Sequence, residues 1–259
     1  MCDLATEVIG QEAFHKTASM FWNPRGPFRL LHQITPLRLE FIHRTICEAG
    51  LAEPETLQQN KVPIELPLPA SLKGLHILDV GCGGGLVCEP LARKGATVTG
   101  IDTTEQAIRA AKTHKEGQKE SLDITYHHTP LAKYAAKRTK KFDIILALEV
   151  IEHQTKPLAF MQQATKLLKR GGLFILSTPN RTLKSYFALI QIAEKLELIA
   201  PNTHEWSAFL TPTELENLGQ FCGLKVLNKK GVSFNFFRQK WLISGGLSVN
   251  YFMSFLNKK

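Results

Sequence analysis

Cysteine is scarce in this 259-residue chain and poorly arranged for cross-linking. Cys2, Cys47, Cys82, Cys88 and Cys222 contain no CxxC pair, and their number is odd. That argues against a disulfide framework and leads us to expect a reducing cytoplasm. Long apolar runs are missing as well. No window reaches the roughly 18 uninterrupted apolar residues that a spanning helix needs. The first residues carry Asp3 and Glu7 without a long apolar core, so they do not read as a secretory signal. A soluble or membrane-peripheral protein is expected. Internal repeats are absent. Acid is in deficit, with 23 Asp+Glu against 32 Lys+Arg and a formal net charge of +9. The imbalance suggests an anionic partner and leaves nucleic acid, anionic lipid and a charged cofactor open. The basic run of Lys133, Lys137, Arg138, Lys140 and Lys141 reads most simply as a solvated helix and turn.

What is present is enough apolar material, 44% of residues, for one elaborated α/β domain. Residues 1–50 read as an N-terminal helical extension, broken early by Pro24, Gly26 and Pro27. Residues 51–72 form a proline-rich loop, since Pro54, Pro63, Pro67 and Pro69 block regular structure. Residues 73–259 then make the main domain, with an insertion at 182–206, in one functional unit. Strands are expected at 76–80, 97–101, 124–128, 142–148 and 173–177, and helices at 86–94, 104–115 and 158–168. Near-continuous apolar strands alternating with helices predict a mostly parallel sheet covered on both faces. Thr211-Pro212-Thr213-Glu214 is a capping-box signature with proline at the first helical position. It starts a helix ending near Gly223, followed by late strands at 224–228 and around 249–255, antiparallel at the sheet edge.

In such sheets ligands bind at the carboxyl ends of the strands. The first strand runs into Asp79-Val80-Gly81-Cys82-Gly83-Gly84-Gly85, a turn that permits close backbone approach to a ligand before a helix N-terminus. A dinucleotide site is the rival reading, but its G-x-G-x-x-G pattern requires glycine where Leu86 stands. Asp79 also meets like charge beside a pyrophosphate. Beside the ammonium and sulfonium of S-adenosylmethionine it meets opposite charge. The second strand ends in Gly100-Ile101-Asp102, and a carboxylate there accepts hydrogen bonds from ribose hydroxyls. Asp102 also suits a helix N-cap ahead of Thr103 and Thr104, and the two roles are compatible.

The fourth strand ends in Glu149-Val150-Ile151-Glu152-His153. In a helical turn, positions i, i+3 and i+4 share a face. Glu149, Glu152 and His153 are therefore candidates to hold a divalent cation: Mg²⁺, or Zn²⁺ or Mn²⁺ given the imidazole. An acid and a histidine here also suit sites without metal. Either a Lewis acid or a neutral histidine base would serve methyl transfer to a phenol, whose pKa near 10 keeps it protonated at neutral pH.

Residues 183–201 carry Tyr186, Leu189, Ile190 and Ala193 at helical spacing, with a narrow polar side of Gln191, Glu194 and Lys195. A core-packed helix is the commoner use of this pattern. Its position at the substrate end of the sheet favours a lid or interfacial helix that meets lipid or a prenyl tail. Phe234, Phe236, Phe237 and Trp241, beside Arg238 and Lys240, add an aromatic and basic stretch, but no sheet-borne RNP motif accompanies it and nucleic acid is not expected.

From Phe14 to Tyr251 the chain resembles the ubiquinone-biosynthesis O-methyltransferase family. The resemblance rests on Phe21-Trp22-Asn23, Leu31-His32, Pro36-Leu37-Arg38-Leu39, the stretches 79–85, 95–102 and 149–153, Asn180-Arg181, Thr203-His204-Glu205-Trp206 and Val249-Asn250-Tyr251. It implies a Rossmann-like class I methyltransferase fold with a mostly parallel seven-stranded sheet, an N-terminal helical extension and a helical lid. It implies methylation of 2-polyprenyl-6-hydroxyphenol and 3-demethylubiquinol from S-adenosylmethionine. Cofactor contacts are implied at Arg38, Gly81, Asp102 and Leu148, beside Asp79 and Gly83 from the loop itself. Glu149, Glu152 and His153 are implied as catalytic metal ligands. An arginine at position 38 also suits the methionine carboxylate. Peripheral contact with anionic membrane through 183–201 and contact with other proteins of the pathway are further implications, placing the protein in the cytoplasm at the inner membrane. A methyltransferase of a soluble small molecule and a non-catalytic cofactor-binding scaffold are the alternatives.

Overall fold

In a computed structural model, the chain folds around a single eight-stranded sheet of order β3-β2-β1-β4-β5-β8-β6-β7. The structure describes residues 20–53, 71–136, 138, 141–185, 206–235 and 240–258. The parallel strands are β1 (His76–Val80), β2 (Thr97–Asp102), β3 (Ile124–His128), β4 (Phe142–Leu148) and β5 (Leu168–Pro179). Antiparallel β6 (Leu224–Asn235), β7 (Lys240–Ser244) and β8 (Asn250–Asn257) complete one side.

The helices are α1 (Arg29–Glu48), α2 (Cys88–Arg93), α3 (Glu105–Glu116), α4 (Leu131–Ala136), α5 (Pro157–Leu167) and α6 (Pro212–Phe221). Side chains of a strand alternate between faces, and here both faces are covered. Ile77, Val98, Ile144 and Ile175 point to one core with Phe41, Ile42, Ile46 and Leu91 from α1 and α2. Leu78, Ile101, Ile145 and Phe174 point to the other, with Tyr134, Phe160, Met161 and Leu215 from α4, α5 and α6. That two-sided burial is why the central strands read as unbroken apolar runs.

Two local features depart from expectation. The sheet has eight strands rather than seven, because β6 runs on to Asn235 and hairpins into β7. β5 begins at Leu168 rather than at 173, through Lys169-Arg170-Gly171-Gly172, with a register shift against β4 between Phe142 and Ile144. Between β3 and β4 the short helix α4 covers the start of the basic run that reads as a helix and turn, and it buries Leu131, Tyr134 and Ala135 rather than being wholly solvated. The Thr211 cap forms as read: its hydroxyl accepts from the Glu214 N–H, and Glu214 accepts from the Thr211 N–H. In the insertion, Leu183–Ser185 is a helical turn. The remainder of the expected lid, the proline-rich loop from residue 54, the first 19 residues and Phe236, Phe237 and Arg238 lie outside the described residues.

Candidate active site

The carboxyl ends of β1, β2 and β4 stand side by side, with Asp79 paired to Gly100 and Val80 to Ile101 and Ala147. Between β1 and α2 the glycine loop folds back on β2: Gly81 N–H and Cys82 N–H both donate to the Ile101 carbonyl, at 2.8 and 3.1 Å. Gly81, Gly83 and Gly85 have φ of 72°, 53° and 90°, a region that L side chains enter at a cost. Where a Cβ would stand on these glycines, protein already occupies the space. A Cβ on Gly81 would lie 2.5 Å from Val150 Cγ2, one on Gly84 2.2 Å from Phe21 Cδ1, and one on Gly85 2.3 Å from Tyr126 Oη. The glycines thus admit side chains from other elements as well as leaving backbone accessible.

Asp102, at the end of β2, is held by two backbone donors. Oδ2 accepts from Gly83 N–H at 2.9 Å and Oδ1 from Thr104 N–H at 2.8 Å. Turn-capping and loop-holding therefore coexist, and each oxygen keeps a further lone pair for a ribose hydroxyl. Asp79 is buried, and the Cys88 thiol donates to its Oδ2 at 3.2 Å. Burial pushes its carboxyl up to about 7, against the Cys88 bond and the nearby Arg38 charge. Arg38 projects from α1, 7% exposed. Burial lowers its pKa while Glu149, Asp79 and Glu152 act to keep it charged. Arg38, Asp79, Glu149 and Glu152 thus share one electrostatic neighbourhood. Leu148, the last residue of β4, is buried beside them.

Glu149 is the one non-glycine residue at positive φ, 58°, among the described residues. That kink turns its carboxylate back over the sheet. Ser177 Oγ donates to it at 2.6 Å, Asn250 Nδ2 lies 3.2 Å from both oxygens, and Arg38 stands 4.0 Å away. Glu152, in the helical turn Ile151–His153, is 4% exposed. Thr178 donates to its Oε2 at 3.1 Å, and its Oε1 is buried with no hydrogen-bond partner. Burial and then the charge of Glu149 raise the Glu152 pKa well above the carboxylate range, so the pair retains a proton.

The three-ligand set expected of Glu149, Glu152 and His153 is not assembled. Among the described residues no group of three His, Cys, Asp or Glu side chains is placed to hold a metal. The turn after Glu149 is 3₁₀ rather than α, so i, i+3 and i+4 do not share a face. Glu152 points inward while His153 is exposed. The two carboxylates and the unpartnered Glu152 oxygen suit a cation or a shared proton.

Asn250, Ser177 and Thr178 were not expected in the site. The β5–β8 register brings Asn250 opposite Pro179, next to Glu149. Asn250 lies in a stretch that carries the family resemblance, which was the one available signal.

A family model described as a methyltransferase domain matches residues 41–229. A ubiquinone biosynthesis O-methyltransferase from Dinoroseobacter shibae is 42% identical over 241 residues, covering 92% of this chain and 91% of the relative. One from Bartonella tribocorum is 39% identical, covering 93% and 92%. Among solved structures, magnesium protoporphyrin IX methyltransferase from Synechocystis PCC 6803 with bound SAH has a TM-score of 0.65 at 17% identity, covering 99% of this chain and 100% of that one. The plantazolicin methyltransferase BamL has 0.62 at 18%, covering 98% and 99%, and these two likenesses concern the fold. On identity and coverage together, the chain belongs to the ubiquinone biosynthesis O-methyltransferase family.

Proposed function

We propose that the protein transfers a methyl group from S-adenosylmethionine to a phenol or catechol hydroxyl of polyprenylated ubiquinone precursors, 2-polyprenyl-6-hydroxyphenol and 3-demethylubiquinol. The observation that carries this reading is the acidic pair of half-buried Glu149 and buried Glu152, set against Arg38 beside Asp79. Asp102 takes the ribose hydroxyls, Asp79 the ammonium, and Arg38 the methionine carboxylate. Gly81, Gly83 and Leu148 shape the walls. These contacts would neutralise both charged ends of the amino acid.

The reaction is an in-line displacement. The phenol oxygen bonds to the methyl carbon as the carbon–sulfur bond breaks, and the sulfur keeps the electron pair as a neutral thioether. The phenol proton, with pKa near 10 in water, must leave the oxygen. Glu149 is oriented by Ser177 and Asn250, and its carboxylate takes the proton. His153, at the mouth, is a second acceptor in its neutral form, since desolvation by the surrounding chain lowers its pKa against the pull of Glu149 even though part of the side chain reaches solvent. A divalent cation held by the two carboxylates would supply Lewis-acid activation of the phenol.

Substrate of this class partitions strongly into lipid, by about 0.8 kcal/mol for each buried methylene. We place its uptake at an anionic membrane surface, through the segment 183–201 and the net positive charge. No helix among the described residues is long and apolar enough to cross a membrane.

Two experiments test the proposal. Methyl transfer from labelled cofactor to a demethylubiquinol analogue should proceed, and Glu149→Ala and Glu152→Ala should each lower kcat about 10²-fold or more, the usual weight of positioned acid–base groups. Added chelator separates the two modes: loss of turnover, restored by Mg²⁺, Mn²⁺ or Zn²⁺, supports a bound cation, and full turnover leaves proton transfer by the acids alone. No transfer to any phenol or catechol sinks the proposal. In flotation, phosphatidylglycerol vesicles should carry the protein at low salt and phosphatidylcholine vesicles should carry less. Failure to float on phosphatidylglycerol vesicles removes the membrane role, and equal flotation on both removes the part assigned to charge.

A further inference from the structure

A loop with glycine at 81, 83, 84 and 85 has much conformational freedom to lose, and ordering it costs free energy. Its own bonds, to Ile101 and between Gly85 N–H and the Cys82 carbonyl at 3.0 Å, fix its two ends. The middle is held from outside. The Phe21 ring fills the volume over Gly83 and Gly84, and Trp22 Nε1–H donates to the Gly84 carbonyl at 2.9 Å.

The dipeptide is itself braced on three sides. The Trp22 indole stacks on the His114 imidazole of α3 with ring centres 3.5 Å apart and planes 3° from parallel. His114 Nδ1 lies 2.6 Å from Glu89 Oε1 on α2, a fully buried carboxylate that also binds Arg93 at 2.8 Å. The Phe21 carbonyl meets His32 Nε2 of α1 at 2.9 Å. One aromatic pair therefore ties together the helix that carries Arg38, the glycine loop, and the helices after β1 and β2.

The consequence reaches the ribose side of the site. Gly83 N–H is the donor that holds Asp102 Oδ2. Moving Gly83 and Gly84 would release that bond and let the Asp102 carboxylate rotate. We propose that Trp22, acting with Phe21, is a positioning residue for the cofactor: it clamps the glycine loop in the shape that presents Asp102 to the ribose and keeps that loop in register with Arg38. The inference rests on the cofactor reading above and adds to it a residue that touches neither cofactor nor substrate.

Calorimetric binding of S-adenosylmethionine to the full chain tests the clamp, alongside steady-state kinetics. Trp22→Ala should raise Kd and the cofactor KM about tenfold, the weight of one hydrogen bond plus the stacked ring. Trp22→Phe keeps a ring on His114 but lacks the N–H, and should give a partial rescue, about threefold above wild type. At saturating cofactor, kcat should remain within about twofold, the signature of an interaction lost equally from ground and transition states. His114→Ala, which removes the brace and leaves the indole, should raise Kd in the same direction.

A lowered melting temperature with unchanged Kd and KM in the folded variants overturns the clamp and leaves Trp22 a packing residue. A fall in kcat at constant KM overturns it too. Should Trp22→Ala fail to fold, Trp22→Phe and His114→Ala decide on the same criterion. A wild-type chain that binds no cofactor overturns the functional reading itself and the clamp with it. A wild type that binds, with variants that bind equally well, overturns the clamp alone.

Discussion

Acidification should weaken cofactor binding, and Asp79 sets where the loss begins. Its buried carboxyl has a pKa pushed up to about 7 in the free protein, although the Cys88 thiol and Arg38 favour its ionised form. A ligand ammonium beside it favours the same form. Binding below pH 7 must therefore expel a proton that the free protein holds. Each pH unit below 7 then costs about 1.4 kcal/mol, a factor of about ten in affinity, until the carboxyl's pKa in the complex is reached. The opposite limb belongs to the ligand. An α-amino group titrates near 7.7–8.0, so affinity declines again above about pH 8. The maximum should fall between about pH 7 and 8.

The free fold responds with the opposite sign. A carboxyl whose folded pKa is raised above its unfolded value of about 4 binds more protons folded than unfolded in that interval. Asp79 thus contributes stability at low pH that is lost as pH rises from about 4 to about 7, while cofactor affinity grows through the upper part of that window. Calorimetry at pH 6, 7 and 8, in two buffers of different ionisation enthalpy, measures both affinity and protons released. At pH 6 the release should approach one per cofactor bound. Asp79→Asn should flatten the acid limb and abolish the release. An affinity constant from pH 8 to 6, or an acid limb that survives in Asp79→Asn, would refute the reasoning.

Two further predictions separate binding from stability. Asp102→Ala removes the acceptor of the Gly83 and Thr104 N–H groups and should weaken S-adenosylmethionine binding by about 1–3 kcal/mol; unchanged calorimetric affinity in a folded variant rejects the ribose contact. Gly219→Ala places a Cβ 2.3 Å from Phe255 Cε1, a ring with no exposure, and over-packing of this kind costs about 1–3 kcal/mol. Denaturant unfolding should show that loss while cofactor affinity stays at the wild-type value, because α6 and β8 meet there on the side of the sheet away from the glycine loop.

The parts of the fold that the sequence reveals are those where local chemistry and tertiary position agree. β1 and β4 carry apolar residues at nearly every position because helices cover both faces, and their boundaries match the reading. α4 spans six residues and offers less than two turns of periodicity, so its burial of Leu131, Tyr134 and Ala135 leaves little trace. β7 escapes notice for a different reason. It is the edge of the sheet, paired on one side to β6, and has no two-sided burial to impose an apolar run. At the start of β5, Leu168 reads as the end of the preceding helix and Lys169-Arg170-Gly171-Gly172 as a loop, and both become strand by pairing next to a bulge.

The site divides along the same line. Asp79, Asp102 and Glu149 are legible because they stand at or just past the carboxyl ends of strands, where a parallel sheet puts its ligands. Their partners are not, since Ser177 is 28 and Asn250 101 residues from the Glu149 they bind. The glycines were legible as glycines, but half the reason for them was not: Phe21, Tyr126 and Val150 occupy the space a side chain would need. His153 was grouped with Glu149 and Glu152 on α-helical spacing, whereas the turn is 3₁₀ and no three-residue metal group forms among the described residues.

Part of the fold's conformational and desolvation cost falls at the acidic pair. Glu149 holds a left-handed backbone that costs a non-glycine residue roughly 1–2 kcal/mol. Arg38 Nε, Glu152 Oε1 and Asn250 Oδ1 are buried without hydrogen-bond partners, each a penalty of about 1–3 kcal/mol where nothing satisfies it. Glycine at 149 would relieve the strain but delete the carboxylate, and an apolar residue at 152 would remove the buried acid but also the shared proton. Neither exchange improves the fold without dismantling the acidic pair. The strain is tolerated because the surrounding sheet over-determines it: Glu149 N–H is bonded to the Ser177 carbonyl at 3.0 Å, and β5 is itself locked between β4 and β8. Rigid strands on both sides let one residue keep an unfavourable conformation, and that conformation aims a carboxylate across the carboxyl end of the sheet towards Arg38.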